Sequence, residues 1–163
     1  MKINEKIKEL DETRKKISEL KQELVDKSTE VFQEFQKDIF NKYPQLESFG
    51  WTQYTPYFND GDTCIFSPHT NYLKINDEWV DDSAWVGENI TTNWGKWNQQ
   101  LRIYEGRVEE PNPNYNEELS KANSEIVDFL SKFDDDFYLS KFGDHSEITI
   151  TKDSLTIEDY DHD

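Results

Sequence analysis

Apolar positions in residues 3–42 recur in alternating steps of three and four, at Ile3, Ile7, Leu10, Ile17, Leu24, Val31 and Phe35. Arg14, Lys21 and Ser28 stand at ladder positions without being apolar, and Leu20 is offset by one. This spacing predicts an amphipathic helix or an imperfect coiled coil. The segment lacks Gly and Pro and is rich in Glu, Lys, Leu, Gln and Ile, all good helix formers. Glu12 with Lys16 and Glu23 with Lys27 add oppositely charged neighbours on the solvated side. The helix should end before Pro44, because the residue before a proline is pushed out of helical geometry. Forty helical residues span about 60 Å, more than a compact body of this chain length. The helix therefore projects, packs against a second chain, or breaks into a hairpin, and no turn signal favours the break. A plainer alternative is that its C-terminal half covers its own sheet through Val31, Phe32, Phe35, Ile39 and Phe40.

The pattern changes after residue 46. Residues 49–58 mix aromatic and polar positions, Asn59-Asp60-Gly61-Asp62 signals a turn, and Thr63–Phe66 reads as a strand. Residues 49–67 are thus expected to form a hairpin-like unit. Tyr72, Leu73 and Ile75 suggest another strand, residues 77–98 a long loop, and Leu101, Ile103, Tyr104 and Val108 a further strand. Pro111-Asn112-Pro113-Asn114 breaks the chain. Asn114 or Asn116 then caps a helix over 115–133, with Leu119, Ala122, Ile126, Phe129, Leu130 and Phe133 on its apolar side. Asp134-Asp135-Asp136 ends that element, and a short helical turn follows at 137–139. Glu147–Thr151 and Leu155–Tyr160 alternate β-branched and polar residues around a short turn, the clearest hairpin in the chain. The fold class expected is α+β: a long N-terminal helix, a small aromatic-rich antiparallel sheet, a second helix and a C-terminal β-hairpin.

Composition and charge alter this picture in two ways. Of 163 residues only 34% are hydrophobic, yet 5 Trp, 8 Tyr and 10 Phe supply large side chains. Disordered acidic chains lack such residues, so a compact aromatic core is expected. The formal net charge of −17 is divided unevenly. Residues 1–42 hold 10 basic and 10 acidic side chains; residues 43–163 hold 8 and 25. The first segment is therefore expected to be a coiled-coil arm for homo-oligomerisation through residues 3–31, and the second an acidic domain. No apolar run is long enough to span a membrane, and Met1–Glu5, with Lys2 and Glu5 and no apolar run behind them, are not expected to open a signal peptide. A cytoplasmic location is expected, and the single cysteine, Cys64 in an apparent strand, is expected to be structural.

Two blocks carry a resemblance. WTQYTPYFNDGDTC within Phe49–Phe66, and FGDH with the terminal EDYDHD within Asp135–Asp163, are similar to segments of a widespread set of small bacterial and phage proteins with no assigned activity. The resemblance implies a bacterial or phage cytoplasmic setting and a shared α+β core. The polar stretch 76–112 departs from that set.

The chemistry-bearing residues offer several readings. Asp144-His145 precedes the last hairpin and Asp161-His162-Asp163 follows it, so a hairpin would bring them together. Asp144, His145, Asp161 and His162 are candidate ligands for a divalent metal, or parts of a general base. The plainer reading is a turn and a fraying tail. Asn59–Asp62 lacks the spacing of an EF-hand calcium loop, and no phosphate loop, nucleophile elbow, HExxH or CxxC is present. His69 has no evident partner. Trp79, Trp85, Trp94 and Trp97 invite stacking on a small ligand, or simply close a core short of Leu and Val. Direct nucleic-acid binding is not expected, since phosphates need clustered Lys and Arg. Dense carboxylates at Asp77, Glu78, Asp81 and Asp82 and at Asp134, Asp135 and Asp136 instead suit a partner with a basic surface, with imitation of a nucleic acid as one form of that binding. The leading expectation is an acidic protein-interaction module acting as a regulator or inhibitor. The alternatives are a small-ligand or metal-binding protein and, third, a hydrolase using His145.

Overall fold

A computed structural model describes residues 2–162. Helix α1 (Lys2–Lys42) leads into strand β1 (Ser48–Tyr54), then β2 (Ser67–Pro68), β3 (Lys74–Ile75) and β4 (Glu78–Trp79). A single 3₁₀ turn (Val80–Asp82) is followed by β5 (Asn89–Asn93), β6 (Lys96–Asn98), β7 (Ile103–Glu105) and β8 (Val108–Pro111). Helices α2 (Glu117–Leu130) and α3 (Asp135–Phe142) and strands β9 (Ser146–Thr151) and β10 (Leu155–Asp159) complete the chain. The expected α+β class holds.

The main sheet is antiparallel, in the order β10-β9-β1-β3-β4, with β2 paired to the far end of β1. Register places Phe49 opposite Ile150, Trp51 opposite Ile148 and Gln53 opposite Ser146. Directly opposed residues share a face, so these six line the side that the helices cover, and all are buried. The other face carries Lys74 and Glu147, which form an ion pair, together with Thr149. Gly50 lies on that face, where a Cβ would run into the carbonyl oxygen of Ile148. The two central strands approach this closely because residue 50 has no side chain.

Phe32 fastens α1 to this layer. Its ring lies 5.7–6.3 Å from those of Trp51, Phe129, Phe133, Phe137 and Phe142. All three helices and the central strand β1 thus meet at one aromatic side chain. Phe35 stacks on Phe129 at 3.6 Å, and Ile39 and Phe40 complete the buried stripe. N-terminal to this stripe, residues 18–25 run along α3, with Lys21 paired to Asp136. Before them the helix is exposed, Ile3 at 73%, and the C-terminal part covers the sheet as the plainer alternative expects.

Local signals explain the other helix ends. The Asn116 side chain accepts from the Leu119 amide and caps α2. Asp134 accepts from the Phe137 amide at 2.8 Å and caps α3. The three aspartates at 134–136 therefore open a helix rather than merely end one. Thr63–Phe66 is not a strand; the segment that pairs with β1 is Ser67–Pro68, and Cys64 is half-buried in irregular chain.

Residues 77–98 are not a long loop. Asn76 and Asp77 both take left-handed backbone conformations (φ 52° and 65°) and form a two-residue turn between β3 and β4. Beyond it, β5 pairs with β8 and β6 with β7, making one two-stranded ribbon over residues 89–111. The ribbon kinks at Gly95, where a side chain would collide with the Glu105 carbonyl. Buried Asn112 clamps its base: its side-chain amide donates to the carbonyls of Ala84, Val86 and Gly87.

Phe32→Ala should destabilise the fold by about 3–5 kcal/mol, the usual cost of emptying a core aromatic position. Leu20→Ala, on the exposed half of the same helix, should change stability by less than about 0.5 kcal/mol. Urea unfolding of both variants checks this; equal losses would mean that Phe32 is not the anchor.

Candidate functional site

All three histidines of the chain gather at one end of the sheet. Tyr54 ends β1, His69 follows β2, His145 opens β9, and Tyr160 and His162 follow β10. Antiparallel pairing forces this: the β9–β10 hairpin brings residue 145 beside residue 160, and the Tyr160 amide donates to the His145 carbonyl. Tyr57 stacks over His145 (4.8 Å, 9°) and over His162 (4.6 Å, 12°). Tyr54 stacks on His162 at 3.7 Å and meets His69 edge-on at 4.4 Å.

The two hairpin-end imidazoles touch, with His145 Nδ1 and His162 Nε2 3.1 Å apart. The other nitrogen of His145 faces Asp144 Oδ2 at 3.7 Å, whereas His162 Nδ1 is buried without a partner. An unpaired buried N–H is rarer and costlier than an unpaired buried lone pair. That asymmetry favours the arrangement in which His162 donates from Nε2 to His145 Nδ1, leaving its own Nδ1 as the unpaired lone pair. His145 adopts a left-handed backbone (φ 49°), held on one side by Asp144, whose Oδ1 accepts from the His145 amide. Asp144 also accepts from the Thr55 amide and hydroxyl at 2.7 Å each.

Of the four candidate metal ligands, Asp144, His145 and His162 come together, while Asp161 is solvent-exposed and outside the cluster. Asp163 lies outside the described residues. A metal shared by the facing nitrogens would drive the His162 proton onto buried Nδ1, which has no acceptor. Among the described residues no group of three or more His, Cys, Asp or Glu side chains is placed to hold a metal ion. The cluster is built as a proton-sharing aromatic stack that ties down the C-terminal segment.

The acidic sets differ in what they do. Asp134 is a helix cap, and Asp136 pairs with Lys21 at 3.1 Å across a groove between α1 and α3. Asp77, Glu78, Asp81 and Asp82 are exposed, and among the described residues none has a cation within ion-pair distance. Asp81 and Asp82 rim a cavity of about 290 Å³ whose other walls are Tyr72, Leu73, Trp79 and Val80.

The four tryptophans do not form one site. Trp79 is half-buried under Lys74 Nζ, 4.9 Å from its ring. Trp85 packs on the core and walls a second cavity with Ser120 and Asn123, whose buried Oγ and Oδ1 have no partner. No residue pattern signals those two positions, since Ser and Asn on a helix read as solvated. Trp94 and Trp97 stand on the ribbon beside Tyr104, 5.7 and 5.0 Å away, with rings tilted by 57° and 59°. Such tilted rings pack on one another and present no flat stacking platform.

No family model matches the chain, and no curated protein or solved structure matches it either. No helix among the described residues is long and apolar enough to cross a membrane.

Two groups of the cluster fix its response to acid. Burial, then the neighbouring His162, hold His69 below its ordinary value of 6.5. The unfolded chain therefore takes up that proton first, and stability falls as pH drops below about 6.5. Burial alone would raise Asp144, but its bonds from Thr55 and the His145 amide outweigh it and hold the carboxyl below 3.8. That contribution is present above pH 3.8 and is lost as pH falls through the lower folded value. Melting temperatures from pH 8 to pH 3 should show both losses. His69→Phe should shrink the first and Asp144→Asn the second; profiles identical to the parent would contradict the assignment.

Proposed function

We propose that the protein is an acidic interaction module that binds a basic protein surface and has no catalytic role of its own. The observation that carries this reading is the face formed by Asp77, Glu78, Asp81 and Asp82. Among the described residues these four exposed carboxylates have no cation within ion-pair distance, and two of them, Asp81 and Asp82, rim an apolar cavity. Carboxylates that served only as surface solvation would not need an apolar floor. An arginine- or lysine-bearing partner finds there both charge and a place for a side-chain stem. The set at Asp134–Asp136 fits less well, because one member caps a helix and another is already paired.

The projecting half of α1 supplies assembly. Its exposed apolar side chains keep a 3.5-residue period from Ile3 to Val31, the period that winds one helix around another. The helix carries 10 basic and 10 acidic residues, so two copies do not repel. Arg14 and Lys21 sit on the seam, where a parallel pair would oppose like charges. An antiparallel pair of two copies instead sets Arg14 against Leu10 and Lys21 against Ile3.

Salt-graded affinity capture from a bacterial lysate yields the partner, whose association kinetics then test the reading. Changing Asp77, Asp81 and Asp82 to Asn and Glu78 to Gln should slow association by about tenfold or more, with less effect on dissociation. Parent association should also slow as salt rises. Kinetics indifferent to both salt and neutralisation would overturn the proposal. Leu10→Glu with Ile17→Glu should lower the mass seen by light scattering; an unchanged mass would exclude the helical seam.

A further inference from the structure

The cavity of about 230 Å³ beside Trp85 is set apart by the polar atoms of its lining, which includes Trp85, Glu88, Tyr115, Ser120 and Asn123. Ser120 Oγ and Asn123 Oδ1 are buried without a hydrogen-bond partner. Only one other buried side-chain atom among the described residues, His162 Nδ1, is unpaired. Leaving a buried acceptor unpaired is costly, and such groups are rare in folded chains. Residues three apart on a helix are neighbours on its surface, so the two oxygens point to one shared partner.

The walls are held in place by two asparagines. Asn112 donates from its side chain to the carbonyls of Ala84, Val86 and Gly87, and its amide donates to the Glu88 carbonyl. The Asn116 amide donates to the Trp85 carbonyl, and the Asn116 side chain caps α2, which carries Ser120 and Asn123. Segment 84–88 is thereby fixed against the first two turns of α2. A ligand entering between them orders little new chain, which favours its binding.

The chemistry of the lining selects that ligand. The Asn123 oxygen can only accept, and the Ser120 hydroxyl can accept. Glu88 adds an exposed carboxylate with no cation within ion-pair distance among the described residues. An anion would meet Glu88 and two lone pairs, and an apolar molecule would leave both oxygens unpaired. A neutral alcohol brings one donor, whereas a primary ammonium brings three and a positive charge. Trp85 and Tyr115 wall the same space, and aromatic faces attract cations. We propose that this cavity binds a primary alkylammonium group. Ser120 Oγ and Asn123 Oδ1 accept from it, Glu88 supplies the counter-charge, and Trp85 and Tyr115 flank its stem. The group belongs to a free amine or to a lysine side chain, which present the same chemistry. The cavity shares no residue with the one at Asp81–Asp82, so the inference is independent of that face.

Titration of the isotope-labelled full chain with butylammonium chloride, followed by NMR, tests it. The Trp85 indole signal, assigned by its loss in Trp85→Phe, and the amides of residues 85–88 and 120–124 should shift and saturate. Butanol and sodium chloride at the same concentrations should leave them unmoved. Asn123→Leu removes the accepting oxygen at similar size. It should melt no lower than the parent, because it deletes an unpaired buried oxygen, yet bind butylammonium at least about tenfold more weakly. A purely structural Asn123 would give the opposite pattern, lower melting with unchanged binding. Putrescine and Nα-acetyl-lysine amide separate the two sources: tighter binding of the diamine assigns a free amine, and tighter binding of the lysine derivative assigns a partner protein's side chain. No saturable shift with butylammonium, equal shifts with butanol, or parent-like binding by Asn123→Leu would overturn the proposal.

Discussion

The contact of Phe32 with five aromatic rings is what the rest of the structure depends on. It is the first deeply buried position along a helix of 41 residues, and α2, α3 and β1 all meet it. With 34% hydrophobic residues the chain cannot build a wide aliphatic core. A few large rings in edge-on and tilted contact close the space instead. Buried polar groups are matched to this arrangement. Gln53 is fully buried, accepts from the Trp51 indole N–H and donates to the carbonyls of Tyr138 and Gly143. Burial keeps the Tyr138 hydroxyl protonated well above its usual range, and it donates to the Leu130 carbonyl.

A small core has a consequence for the remainder of the chain. What the aromatic cluster cannot cover must be covered from outside or remain exposed. Half of α1 and the whole 89–111 ribbon are in that position, and both keep regular apolar patterns. The helix has the period of a supercoil and the ribbon exposes a row of aromatic and aliphatic side chains. These features suit association more than catalysis. The histidine cluster, the best-formed group of titratable side chains, is packed against tyrosines and holds the C-terminal segment to β1.

The legible parts of the fold were those with strong local signals. The long helix, the Asn116 cap and the last hairpin follow from periodicity, a capping side chain and β-branched alternation. The approach of His145 to His162 was also legible, because a hairpin joins its own ends. The ribbon was not. Its strands are three to five residues long, broken at Gly95, and interleaved with Asn, Thr and Gln that read as loop. The β3–β4 hairpin was missed because each strand is two residues long and Asn76-Asp77 lacks the glycine of the commonest such turn. The role of Asp134 depends on a helix that starts one residue later, and only its amide geometry reveals a cap. The sharing of a proton between two imidazoles needs the burial of a third nitrogen, which no sequence pattern encodes.

Amide hydrogen exchange of the parent protein across a wide concentration range tests the central claim most directly, that the exposed N-terminal half of α1 is completed by a second copy. Amides of β1 and β9 lie in the core sheet and should exchange at the same slow rate throughout. Amides of the N-terminal half of α1 should gain protection as concentration rises. Exchange in that half that is independent of concentration would contradict the account.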